Sequence, residues 1–181
     1  MEKTPLEGLL LIKPNVHKDK RGYFYENYRD ELFEANGLPT NFRQDNQTKS
    51  VKGTLRGLHY QLKYPQGKLV RVSLGMVYDV AVDIRKSSPT FSQYFGVNLT
   101  DKDHKQMYIP PGFAHGFCVL SDQAIFQYKC TEIYHPEDEY GIRWDDPQIN
   151  INWSITDPVI SDRDLELPFL AEQKNIPVYE G

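Results

Sequence analysis

The stretch that decides the fold is Val77-Tyr78-Asp79-Val80-Ala81-Val82-Asp83-Ile84-Arg85. A β-strand points successive side chains to opposite faces, so this stretch has an apolar face that includes Tyr78 and a mixed face that includes Asp79. Two interpretations fit the pattern equally well. One is an edge strand with a solvated face, and the other is a strand of a barrel whose interior is a polar ligand cavity.

Similar runs recur along the chain, separated by segments rich in Gly, Pro, Asp, Asn or Ser. Strands are predicted over residues 9–12, 22–26, 42–47, 54–62, 68–74, 76–85, 94–99, 106–109, 116–120 and 124–133. Short helices are predicted over 30–36, with Asp30 as N-cap, and over 161–165, with a capped start. Many short strands at close spacing predict an all-β antiparallel sandwich or barrel, and we expect one domain over residues 1–181.

Composition excludes several classes of protein. The 181 residues are 39% hydrophobic and 25% charged, as in a globular protein with a sizeable core. A net charge of −4 argues against general binding to nucleic acid or anionic membranes. We expect a cytoplasmic location, because no apolar run is long enough to span a bilayer and no signal peptide is recognisable. Cys118 and Cys130 are expected to be buried, reduced thiols.

The segment Leu55-Arg56-Gly57-Leu58-His59-Tyr60-Gln61 combines a cation, a candidate general base and an amide on one predicted strand. A single histidine on a strand is more often structural than catalytic. Simple alternation places Arg56 and His59 on opposite faces. A bulge at Gly57 would re-aim one of them, and without it Arg56 would act from the entrance of the strand.

Other candidates are weaker on pattern alone. Lys68 follows a turn at Gly67, so a hairpin could bring it near His59, either as a surface lysine or as a fixed cation beside an oxyanion. Tyr128 shares strand parity with apolar neighbours and is either a core tyrosine or a proton donor that faces His59. His115 follows a turn rich in Pro and Gly that is expected to be rigid.

The sequence argues against metal and nucleotide-hydrolysis chemistry. His59, His104 and His115 are conceivable metal ligands, but they form no close cluster with each other or with carboxylates. Phosphate-binding glycine loops, a serine nucleophile elbow and a Cys/His nucleophile pattern are all missing from the sequence. The acidic run Glu137-Asp138-Glu139 is most simply a solvated turn.

Several motifs in order resemble the dTDP-4-dehydrorhamnose 3,5-epimerase family. They are Arg21-Gly22 with Glu26, Gln44-Asp45-Asn46, the segment 55–61, Gln66-Gly67-Lys68-Leu69-Val70, the segment 79–85, Gly112-Phe113-Ala114-His115-Gly116-Phe117 and Ser161-Asp162-Arg163-Asp164. The resemblance runs from residue 9 to residue 167. It implies a cupin-like jelly roll with a few short helices, no cofactor, no metal, and a homodimer whose N-terminal strands exchange between subunits.

The resemblance also implies roles for individual residues. His59 would be the base, Asp164 its orienting partner, Tyr128 the proton donor on the opposite face, and Lys68 the group that stabilises the enolate oxygen. The positions that would bind the dTDP-sugar are Arg21, Glu26, Gln44, Asp45, Asn46, Arg56, Lys68, His115, Glu139 and Arg163. Arg163 stands where many relatives have Lys, and Glu137 lies near enough to compete with Glu139 for its assignment.

Three alternatives stay open at this point. The nearest is a related enzyme that epimerises one carbon of a dTDP-4-keto sugar or isomerises its keto group. The others belong to different classes: a metal-dependent cupin oxygenase and a non-catalytic sugar-binding barrel.

Overall fold

The computed structural model describes residues 1–179, and within that range the regular structure is mostly β-strand. The strands are β1 (Glu2–Lys3), β2 (Leu10–Ile12), β3 (His17–Asp19), β4 (Gly22–Phe24), β5 (Gln44–Val51), β6 (Leu55–Gln61), β7 (Lys68–Leu74), β8 (Met76–Asp83), β9 (Tyr94–Thr100), β10 (Gln106–Ile109), β11 (Phe113–Val119), β12 (Gln123–Cys130) and β13 (Glu139–Gly141). Two α-helices, α1 (Asp30–Glu34) and α2 (Asp162–Leu165), and one 3-10 turn (Pro136–Asp138) complete the regular structure.

Two antiparallel sheets pack face to face. The large sheet has the strand order β1-β2-β10-β7-β12-β5, and the small sheet has the order β13-β6-β11-β8-β9. Strands β3 and β4 form a separate hairpin, which we call the arm. The predicted all-β, cupin-like jelly roll is confirmed. No helix in the described range is long and apolar enough to cross a membrane.

The small sheet is buried on both of its faces. One face meets the large sheet in a core that includes Phe117 and Phe126. The other face is covered by residues that follow β13, among them Ile149, Trp153 and Leu170. We call residues 142–170 the C-terminal cover. Burial on both faces explains why the strands of this sheet contain near-continuous apolar runs.

Strand β8 is therefore a central strand, flanked by β11 and β9. The edge-strand interpretation of its mixed face is wrong, because Asp79 and Asp83 are both fully buried. Asp83 accepts hydrogen bonds from Arg85, Ser88 and Thr90, which compensate for the burial of its charge. The barrel interpretation of this strand is the correct one.

A bulge in β6 explains why Arg56 and His59 lie on the same face of the strand. The pairing with β11 joins His115 to His59 and Phe117 to Arg56, so two residues of β6 oppose one residue of β11. The Gly57–Leu58 peptide bond is cis, and Gly57 has a φ of +108°. Because of the extra residue, Arg56 and His59 both line the cavity between the sheets.

Of three local predictions, two are wrong and one is confirmed. Strands β6 and β7 are consecutive but lie in different sheets, so the predicted hairpin between them is wrong. Helix α1 begins at Asp30, so its N-cap is Arg29 and not Asp30 as predicted. The side chain of Arg29 makes no capping hydrogen bond. Helix α2 has the predicted capped start, since the hydroxyl of Ser161 accepts from the backbone N–H of Asp164.

Two other expectations have clear outcomes. Strand β11 begins at Phe113 rather than at residue 116, so His115 lies within the strand and not at the end of a turn. The two cysteines are buried and form no disulfide, as predicted.

The glycine in the bulge has no room for a side chain. A Cβ atom at Gly57 would lie 2.5 Å from the carbonyl oxygen of His115 and 2.7 Å from the Cα of Gly116. We therefore expect Gly57→Ala to lower the free energy of unfolding by about 3 kcal/mol or more, measured by urea denaturation. Gly53→Ala is the matched control, because Gly53 also has a positive φ but has no atom within 4 Å of the added Cβ.

The control variant should lose only about 1 kcal/mol, the usual cost of a left-handed residue that is not glycine. Equal losses in the two variants would show that backbone conformation alone, and not close packing against β11, requires Gly57.

Candidate active site

A cavity of about 390 Å³ opens between the two sheets. Both sheets and the segments that connect them contribute to its wall. Its lining consists of Gln44, Asn46, Thr48, Arg56, His59, Gln66, Lys68, His115, Phe117, Tyr128, Cys130, Tyr134, Glu139, Ser161, Arg163 and Asp164. The structure thus brings together most of the residues that the sequence nominated, including all four expected catalytic groups.

His59 forms a dyad with Asp164, a residue of the C-terminal cover. The Nε2 atom of His59 lies 2.8 Å from Oδ1 of Asp164, and the backbone N–H of Gly57 donates to Oδ2 at 3.1 Å. Burial alone would raise the pKa of Asp164, but hydrogen bonds from His59, Gly57 and Ser161 together hold that pKa below its usual value. The carboxylate therefore stays charged and orients the ring, which leaves Nδ1 of His59 to exchange a proton with a ligand.

A second dyad lies beside the first. The Nε2 atom of His115 is 2.7 Å from Oδ1 of Asp79, and both side chains are buried. His115 is directly opposite His59 in the pairing of β11 with β6, so the two imidazoles are neighbours on one wall. Asp79 was not nominated from the sequence as a functional residue. The available signals were its place on the mixed face of β8 and in the family motif of residues 79–85.

The opposite wall carries Lys68 and Tyr128 on neighbouring strands of the large sheet. Burial lowers the pKa of the Lys68 amine, against the opposing effect of Cys130, Glu139 and Asp79. Burial raises the pKa of the Tyr128 hydroxyl, which therefore keeps its proton at neutral pH. A desolvated amine and a protonated phenol thus lie on the wall opposite the His59 dyad, where a polar ligand would displace water.

An ion pair lies at the rim of the cavity. The carboxylate of Glu139 accepts from the guanidinium of Arg163 and, at 2.8 Å, from the hydroxyl of Tyr134. The neighbouring Glu137 is exposed and contacts His135. Of the two competing glutamates, Glu139 is the one that lines the cavity. Tyr134 was missed from the sequence, because nothing distinguishes it among 12 tyrosines.

The acidic run that contains Glu139 is not a solvated turn, which corrects the expectation from the sequence. Asp138 is buried, and its carboxylate accepts from the backbone N–H groups of Lys63 and Tyr64 at 3.0 and 2.8 Å. These bonds fix the segment that presents Glu139 to the cavity.

Three nominated residues lie outside this cavity. Arg21 is on the arm, where its side chain is 84% exposed and pairs with Asp19. Glu26 follows the arm and pairs with Arg29. The side chain of Asp45 lies on the outer face of the large sheet, where it binds Lys129 at 2.7 Å, because alternation along β5 turns it away from Gln44 and Asn46.

The three histidines that were considered as metal ligands do not converge. His59 and His115 line the cavity, but His104 is buried elsewhere, against the rings of Tyr23 and Tyr25. Residues 1–179 contain no group of three or more His, Cys, Asp or Glu side chains that could hold a metal ion.

Comparison with known proteins gives one family. The family model described as dTDP-4-dehydrorhamnose 3,5-epimerase matches residues 3–172. A relative with that name from Methanothermobacter thermautotrophicus is 51% identical over 180 residues, which cover 98% of this chain and 96% of the relative. Another with that name from Shigella flexneri is 53% identical over 165 residues, covering 90% of this chain and 91% of the relative.

A solved structure has nearly the same fold. It is the dTDP-6-deoxy-D-glucose-3,5-epimerase of Legionella pneumophila, in complex with dTDP-4-keto-L-rhamnose. Its TM-score is 0.96 at 46% identity, with 99% of this chain and 98% of that chain covered. Sequence, fold and cavity therefore agree, and this chain belongs to the dTDP-4-dehydrorhamnose 3,5-epimerase family.

Proposed function

We propose that this chain epimerises C-3 and C-5 of dTDP-4-dehydro-6-deoxy-D-glucose, giving dTDP-4-dehydro-L-rhamnose for the synthesis of dTDP-L-rhamnose. The observation that carries the proposal is the pairing of a base and an acid across one cavity, with His59 on the small sheet and Tyr128 on the large sheet. Epimerisation needs this arrangement, because a proton must leave one face of the carbon and another must arrive at the opposite face.

In the proposed reaction, the neutral imidazole of His59 removes the proton from a carbon next to the ketone. The electron pair of the broken C–H bond moves into the carbonyl group and forms an enolate. Lys68 stabilises the enolate oxygen, and the preorganised carboxylate of Asp164 stabilises the imidazolium. Tyr128 then donates its proton to the far face of the carbon, and exchange with water restores the imidazole and the phenol. The same groups act on the second carbon, and no cofactor takes part.

The remaining nominated residues would bind the substrate. The substrate's diphosphate needs cations, and Arg56 and Arg163 supply guanidinium groups at the cavity. Gln44, Asn46, His115 and Glu139 offer hydrogen bonds along the wall and rim. Because its side chain faces away, Asp45 would have to act through its backbone or at another surface.

Arg21 and Glu26 lie outside the cavity of their own chain. We propose a homodimer in which the arm of one subunit, with the following Glu26, reaches the cavity of its partner. The support is that the arm packs as a separate hairpin and carries the exposed Arg21 and Phe24, the latter 71% exposed. We also propose that residues 1–181 act as one epimerase domain and that the enzyme works in the cytoplasm, where buried free thiols such as Cys118 persist.

Proton exchange tests the reaction. In deuterated water, the wild-type enzyme should place deuterium at both C-3 and C-5 of the product, detected by NMR and mass spectrometry. The variant His59→Ala should slow exchange about 10²- to 10⁴-fold, because the general base is removed. His135→Ala is the matched control, since His135 stacks on Tyr64 and does not line the cavity.

Label at a single carbon would indicate a mono-epimerase instead. Binding of the nucleotide sugar with no exchange would indicate a binding barrel. Full turnover by His59→Ala would remove this residue from the role of base.

The lowered pKa of Lys68 predicts a pH dependence. Lys68 acts as a cation, so its contribution is present below its pKa and is lost as the pH rises through that pKa. Because burial lowers the pKa, kcat/KM of the wild-type enzyme should fall at a pH below the ordinary lysine range. Lys68→Arg should be slower at neutral pH, but its alkaline limb should move upward, since an arginine keeps its charge. An unchanged alkaline limb would assign that limb to another group.

Mixed dimers test whether Arg21 acts on the partner's cavity. Arg21→Ala and His59→Ala should each have low activity alone. When the two variants are unfolded and refolded together at equal concentrations, activity should return to about one quarter of wild type, because half of the dimers then contain one complete site. No recovery would mean that Arg21 acts within its own chain. Refolding each variant alone is the control.

A further inference from the structure

The inner face of β5 carries an unbroken row of polar side chains. Gln44, Asn46, Thr48 and Ser50 alternate with residues that face outward. The first three line the cavity, and Ser50 lies just behind it. A run of four inward polar residues is unusual for a strand that packs over a core, and it indicates that this face is built to meet a polar ligand.

The members of this row differ in how they are hydrogen-bonded. The amide of Gln44 donates to Oδ1 of Asn46 at 3.0 Å, and the hydroxyl of Ser50 accepts from Nε of Arg56 at 3.3 Å. The hydroxyl oxygen of Thr48 is buried and has no hydrogen-bond partner among residues 1–179. A buried hydroxyl without a partner lowers stability, so its retention needs an explanation.

The surroundings of Thr48 provide no protein partner. On the adjacent strand β12, Thr48 pairs with Phe126, whose ring stacks on Phe117 at a centroid distance of 4.2 Å. The imidazole of His115 also stacks on Phe126, but its Nε2 is already bonded to Asp79, so aromatic rings predominate at this level of the wall. Rotation about the Cα–Cβ bond to another staggered rotamer would turn the hydroxyl toward a ligand in the cavity.

The position of Thr48 along β5 indicates which part of a ligand it meets. On one side is Asn46, which pairs with Tyr128, the proposed proton donor. On the other side is Ser50, which holds Arg56, the proposed anion-binding residue. Thr48 thus lies between the site of proton transfer and the guanidinium, where the diphosphate of a nucleotide sugar joins the sugar ring.

We propose that Thr48 is a further substrate-binding residue, whose hydroxyl donates a hydrogen bond to a phosphate oxygen of the dTDP-sugar beside Arg56. The inference rests on the proposed function for the identity of the ligand. Hydrogen bonds to charged acceptors are stronger than neutral ones, so an oxyanion is the acceptor that best compensates for the burial of this hydroxyl. No rearrangement of the main chain is needed.

Isosteric substitution tests the proposal. Thr48→Val removes the hydroxyl and keeps the shape, and Thr48→Ser keeps the hydroxyl and removes the methyl group. We expect the Kd for dTDP, measured by titration calorimetry, to rise about tenfold in Thr48→Val and to stay within about twofold of wild type in Thr48→Ser. The Tm of ligand-free Thr48→Val should equal or exceed that of wild type, because an unpartnered hydroxyl has been removed.

Three results would overturn the inference. They are a Kd for Thr48→Val within about twofold of wild type, an equal loss of affinity in both variants, or weaker binding together with a lower Tm, which marks a packing role. If Thr48→Val does not fold, Thr48→Ala takes its place in the comparison with Thr48→Ser. The readout is binding of dTDP, so it is independent of the deuterium experiment. If the wild-type enzyme shows no deuterium exchange but Thr48→Val shows the expected loss of dTDP affinity, the proposed reaction is rejected and the phosphate contact is retained.

Discussion

The close approach of β6 and β11 at Gly57 is the constraint on which the cavity depends. Gly57 faces Gly116 across the pairing, and a Cβ on Gly116 would lie 2.7 Å from the carbonyl oxygen of Arg56. Only two glycines allow the strands to meet this closely while β6 accommodates an extra residue. The bulge brings Arg56 and His59 to one wall, and the freed N–H of Gly57 holds the carboxylate of Asp164. Backbone packing thus sets the positions of His59, Asp164 and Arg56 together.

The two sheets divide the chemistry between them. The small sheet carries the histidines of two histidine–aspartate dyads, and the carboxylate of each dyad is almost fully buried. The large sheet carries the amine of Lys68 and the phenol of Tyr128, whose pKa values burial shifts in opposite directions. Both shifts favour the neutral form of the side chain, because desolvation penalises the charged form. Groups on rigid facing sheets keep a fixed separation, which suits a reaction that must work on both faces of one ring.

The sequence predicted the class of fold and the bounds of β7 and β10, because their apolar residues and flanking turns are clear. It also identified His59, Lys68 and Tyr128 as cavity residues. It could not show that β6 and β7 lie in different sheets, since a short connection fits a hairpin equally well. Pairings between distant residues were equally invisible: His59 and Asp164 are separated by 105 positions, and only the resemblance joined them. Alternation along β5 predicts that Asp45 points outward. The prediction instead followed the motif Gln44-Asp45-Asn46, whose three residues were all assigned to substrate binding.

The C-terminal cover has a consequence for how the enzyme matures. It contributes Trp153 and Leu170 to the outer layer of the small sheet, and it also carries Asp164. These residues leave the ribosome after every strand of the barrel, so a nascent chain that has formed both sheets still lacks the carboxylate that pairs with His59. Docking of the cover would bury the apolar layer and also bring Asp164 to His59. Under the proposed mechanism, a barrel without its docked cover would lack Asp164 at the site and would be inactive.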